Sequence, residues 1–100
     1  MNYLSSDLDV RKYNILIDAI EKIIVFTAGD IPEIKLRERK AIKINREDDI
    51  FSTVINIKVK HGHDVQEKCI ELQKRLMDSM NKMLNIRFDS INIRVIGVFI

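Results

Sequence analysis

Tryptophan is absent from this chain, and cysteine and proline occur once each. A single cysteine cannot form an internal disulfide, so the chain must be held by its core and suits a reducing compartment. No apolar run approaches the roughly 20 residues a membrane-spanning helix needs. The opening, MNYLSSDLDVRKYN, lacks a basic stretch leading into an apolar one and does not read as a signal peptide. Charge of one sign is also lacking. Seventeen basic side chains stand against 15 acidic ones, a net charge of +2, which falls short of the basic footprint usual for nucleic-acid binders. Glycine is scarce: Gly29, Gly62 and Gly97 lie far apart, and none opens a phosphate-cradling loop. The expectation is a cytoplasmic protein, with peripheral attachment at the inner face of the cell membrane through a partner left open.

What the chain does have is aliphatic. Of its 100 residues 46% are hydrophobic, isoleucine foremost, which suits one domain over 1–100 with a single core. Val10, Tyr13, Ile17, Ile20 and Ile24 recur at the spacing of one helical face, with Ser6, Asp7 and Asp9 as N-cap oxygens just ahead. TAGDIPEI, with Gly29 and Pro32, ends that helix. KLRERKAIKIN reads as one strand, with Leu36, Ile42 and Ile44 sharing a parity. REDDIF is a turn, and STVINIKVK alternates Ile55, Ile57 and Val59 inward against Asn56, Lys58 and Lys60 outward. In the second helix Asp64 caps and Glu67 follows three residues later, a capping box. Its apolar stripe is Val65, Cys69, Leu72, Leu76, Met80 and Met83, and Asn85 is its stop. SINIRVIGVFI closes the chain as a strand with Ile91, Ile93 and Val95 on one parity.

The order α-β-β-α-β predicts an α+β two-layer sandwich: a three-stranded mixed sheet, its last pair parallel, with both helices on one face. The other face is then open. It carries Lys43, Lys58, Lys60 and Arg94, a candidate partner contact, among Asn45, Asn56 and Asn92. Such a face is either ordinarily solvated or attractive to RNA, acidic lipid or an acidic protein. Phe99 has the inward parity and Phe51 lies at the turn, so no outward position is aromatic, which counts against base stacking. The strip Lys35, Arg37, Arg39, Lys40 and Lys43 reads as protection of a sheet edge, with a contact strip as the alternative. Met77, Met80, Met83 and Leu84 read as core. The apolar VIGVFI needs cover, from the first helix or from a second subunit.

The stretch KVKHGHDVQEKC poses the one chemical question, because His61, His63, Asp64 and Cys69 are ligand types that zinc accepts. Cys69 falls on the apolar stripe, Asp64 serves as cap, and no further Cys or His exists to complete four ligands. The stretch reads as a strand-to-helix corner turning at Gly62, and no metal or cofactor is assigned. A thiolate nucleophile at Cys69 fails for the same reason. No catalytic constellation and no small-molecule substrate are expected.

INIKVKHG, Gln73 in the following helix, MLNIRF at 83–88 and INIRVIGV at 91–98 together resemble the alkaline-shock-protein family of Gram-positive bacteria. The resemblance covers residues 53–98, including Gly62, Asn92 and Gly97. It departs at His61, where the family has an aromatic residue, and at His63 and Asp64. It implies a non-enzymatic protein of cell-envelope stress and homeostasis. Such a protein acts by self-association as a homo-oligomer and by contact with partners, among them a membrane-anchored protein. The alternative is an RNA- or ribosome-associated KH-like module, for which the G-x-x-G loop is missing.

Overall fold

The computed structural model describes residues 3–36, 41–48 and 50–100. Its elements are α1 (Tyr3–Gly29), β1 (Ile34–Lys35), β2 (Ile42–Glu47), β3 (Ile50–Lys60), α2 (Val65–Leu84) and β4 (Arg87–Phe99). β3 takes β1 and β2 antiparallel on one edge and β4 parallel on the other. The fold is α+β, as expected, but its sheet has four strands and not three. The reason lies in the register. Six residues, 36–41, separate Lys35 from Ile42, whereas only Asn56 and Ile57 separate their partners Lys58 and Ile55. The edge chain carries four residues too many for one continuous ladder, so the single strand expected over KLRERKAIKIN divides. Residues 37–40 of the expected edge strip lie outside the described residues.

Alternation on β3 decides the layering. Phe51, Thr53, Ile55, Ile57 and Val59 are buried, while Val54, Asn56 and Lys58 between them are half-buried. The buried row forms one core with Ile20, Ile24 and Ala28 of α1 and with Leu72, Leu76 and Met80 of α2. Both helices therefore lie on one face, a two-layer arrangement. The one buried hydroxyl in this row is satisfied: Thr53 Oγ1 donates to the Lys43 carbonyl at 2.7 Å. At the hairpin end, Arg46 stands over the rings of Tyr13 (5.5 Å) and Phe51 (5.9 Å), which ties α1 to the sheet.

Three local expectations change. α1 spans Ser6, Asp7 and Asp9, so these lie within the helix and do not cap it. α2 starts and stops as read: the Glu67 N–H donates to Asp64 Oδ1 at 3.1 Å, and Asn85 takes the left-handed conformation at φ 49°. Its stripe is narrower than expected, with Leu72, Leu76 and Met80 buried, Cys69 half-buried, and Val65 and Met83 exposed. The reading of the methionines as core holds for Met80 and fails for Met77 and Met83, both exposed. The third change is in β4. Two irregularities interrupt its pairing, after Phe51 and after Ile57 of β3, leaving Asp89 and Ile96 as the extra residues.

Two substitutions probe this frame. Leu76→Ala, in a fully buried position, is expected to lower unfolding free energy by about 3 kcal/mol in urea titration. Gly62→Ala should cost about 1 kcal/mol from backbone strain at φ 89°, since an added Cβ meets no atom within 4 Å.

Candidate interaction surface

Register places the open-face side chains row by row. Lys43 and Asn92 flank Val54; Arg94 lies beside Asn56; Lys35 and Gly97 flank Lys58; Phe99 lies beside Lys60. The four cations expected on this face do share it, and Lys35 joins them. At about 3.3 Å per residue, the rows from Val54 to Lys60 span about 20 Å. Lys43, Lys58, Lys60 and Arg94 make no ion pair with any described residue. The face also holds Glu47, but its backbone stands opposite Ile50, at the far end of β3. Asn56 Oδ1 is buried at the centre of the face with no hydrogen-bond partner among the described residues.

The sequence reading of Phe99 is overturned. Val95 is opposite Ile57 and faces the helices, whereas Gly97 is opposite Lys58 and faces outward. Ile96 is the additional residue between them, and it resets the parity of everything after it. Phe99 therefore stands on the open face, with the Lys35 ammonium 5.0 Å from its ring centre. Val98, for its part, turns to the helix side, where no helix reaches it: it is 58% exposed. α1 does not cover the apolar end of β4.

The corner at 61–64 is built from backbone. The Lys60 N–H donates to the Glu33 carbonyl and the His61 N–H to the Phe99 carbonyl, both at 2.8 Å. His61 and His63 are exposed, and Cys69 is half-buried on α2, with burial pushing its thiol pKa up. No three His, Cys, Asp or Glu side chains among the described residues come close enough to hold a metal ion. Beside the corner, Lys68 bridges Glu33 at 3.2 Å and Glu71 at 3.6 Å, pinning the segment before β1 to α2. The Lys68 hydrogen bond, and then one from its own backbone, hold the Glu33 carboxyl below its ordinary 4.5, while Glu33 in turn raises Lys68.

Beyond β4, a shallow groove is lined by Gln73, Lys74 and Met77 of α2 and by Asp89–Asn92. Gln73 Nε2 donates to the Ile91 carbonyl at 2.8 Å, spanning helix and strand. Ile70 and Met77, three and four residues to either side of Gln73, are 42% and 45% exposed. The sequence marked Gln73 as part of a motif. Its tie to β4 needed the fold.

The class defined here is a two-layer α+β domain with one open, basic sheet face, and no helix among the described residues is long and apolar enough to cross a membrane. No family model matches the chain, and no curated protein sequence matches it. Solved structures of the MamM C-terminal domain share the fold. A double-alanine variant is 15% identical with a TM-score of 0.57, covering 84% of this chain and 96% of that one. A copper form of a single-residue variant is 15% identical with a TM-score of 0.55, covering 81% and 96%. At that identity the likeness is one of fold.

The Glu33–Lys68 pair makes a signed prediction. A lowered carboxyl pKa contributes stability above about 4.5 that is lost as pH falls through the folded-state value. Glu33→Gln should therefore lower the melting temperature at neutral pH, with the gap to the parent closing on acidification. Melting curves across pH check it; a gap that stays constant into acid contradicts the role given to this pair.

Proposed function

We propose that this protein is a non-catalytic module of the alkaline-shock type, serving cell-envelope homeostasis through self-association and partner contacts. One observation carries the reading. The outer edge of β4 pairs with no other described strand, and apolar side chains beside it, Val98, Met77 and Ile70, are left to solvent. A strand edge with exposed apolar neighbours is a template for pairing with another chain. A second copy supplies the same edge and the same side chains, the self-complementarity that a two-fold interface requires. INIKVKHG with its corner at Gly62, Gln73 in α2, MLNIRF and INIRVIGV are the parts of the chain that carry the resemblance.

The KH-like, RNA-associated reading has one observation in its favour, the ring of Phe99 on the basic face. The missing G-x-x-G loop and the small net charge stand against it.

Sedimentation velocity over a wide concentration range tests self-association. The parent is expected to shift to a larger species as concentration rises, and the double variant Val98→Lys/Met77→Lys to remain a monomer with unchanged circular dichroism. A parent that sediments as a monomer throughout would sink the reading.

A further inference from the structure

We infer that the open sheet face is a docking surface for an anionic lipid bilayer. Net charge hides this face, because the chain is nearly neutral while five cations gather on one side of the sheet, with Glu47 only at its far end. Lys35, Lys43, Lys58, Lys60 and Arg94 lie on it within about 20 Å. The carboxylates paired in the structure, Asp18, Glu33, Glu71 and Asp78, lie on the helix layer or the segment leading into β1. The cations are uncompensated where it matters: Lys43, Lys58, Lys60 and Arg94 meet no carboxylate among the described residues.

The uncharged positions on the face select the kind of anion. Beside the polar Asn45, Asn56 and Asn92, the apolar ones are aliphatic more than aromatic: Val54, Ile50 and Ile96, the last 52% exposed at the bulge. The face has one ring, Phe99, already engaged by the Lys35 ammonium at 5.0 Å. A single-stranded RNA site needs several free rings on which bases stack. A bilayer surface needs long cationic side chains to meet lipid phosphates, and apolar side chains to enter the boundary below them. Lys58 shows the first part of that geometry: its stem lies along the sheet over Gly97, with Cε 3.7 Å from where a Cβ would stand. Ile96 projects from the neighbouring position as the second part. The bulge that turns Phe99 outward thus also sets an isoleucine among the lysines.

This inference does not depend on self-association, so it is tested on a Val98→Ser/Met77→Ser variant, which removes the apolar edge without adding charge, as well as on the parent. Flotation with vesicles of phosphatidylcholine alone, and of phosphatidylcholine with phosphatidylglycerol, reads it directly. Binding is expected only to the phosphatidylglycerol vesicles and is released by salt. Lys58→Gln/Lys60→Gln should weaken it about twenty-fivefold, roughly fivefold for each lysine, with an unchanged melting temperature. Ile96→Ser should weaken binding without altering its salt dependence. Absence of vesicle binding, equal binding to both vesicles, or a lysine double variant that binds like the parent would overturn the proposal. Fluorescence anisotropy with a single-stranded RNA oligonucleotide decides the other source of phosphate. Salt-sensitive RNA binding lost in the lysine variant, without vesicle binding, would hand the face to RNA.

Discussion

Along β3, Phe51, Thr53, Ile55, Ile57 and Val59 alternate with partly exposed residues and are themselves withdrawn from water. Burial of that one row governs the rest of the molecule. Two helices share a single face to cover it, Ile20, Ile24 and Ala28 of α1 and Leu72, Leu76 and Met80 of α2 closing one core over the row. β3 also carries all three ladders, so β1, β2 and β4 are placed by its two edges. Once the helices occupy one side, the other side is left to solvent, and its lysines need no partner.

The same geometry explains where cover runs out. α2 reaches β4 through Gln73 and the Ile91 carbonyl, and Met77 on its outer flank lines the groove beside that strand. Toward the end of β4 no helix lies above Val98. The apolar surface expected from VIGVFI is therefore real, and the first of its two expected covers is excluded. At this same end of the sheet, Lys68 holds Glu33 and Glu71 together, which anchors the corner where β3 leaves the sheet.

Legibility followed the range of the interactions. Asp64 as cap, Asn85 as stop, and the inward trio Ile55, Ile57 and Val59 were readable because each depends on neighbours a few residues away. The open-face residues Lys43, Lys58, Lys60 and Arg94 were readable for the same reason, parity being a local property until something interrupts it. The start of α1 was misread because Ser6, Asp7 and Asp9 resemble caps wherever they occur. Met77 and Met83 were misassigned because helical spacing places them near the stripe but does not say how far a covering surface extends.

The sequence by itself determined the helices, the alternating core of β3, the corner at Gly62 and the basic character of one face, since these rest on side-chain period and local backbone preference. The tertiary structure alone decided the division of the edge into β1 and β2 and the side on which Phe99 stands. Both are matters of register: a strand's parity is fixed by its own residues, but an extra residue is recognisable only against the partner that lacks it. For β4 that partner is β3, more than 30 residues earlier in the chain.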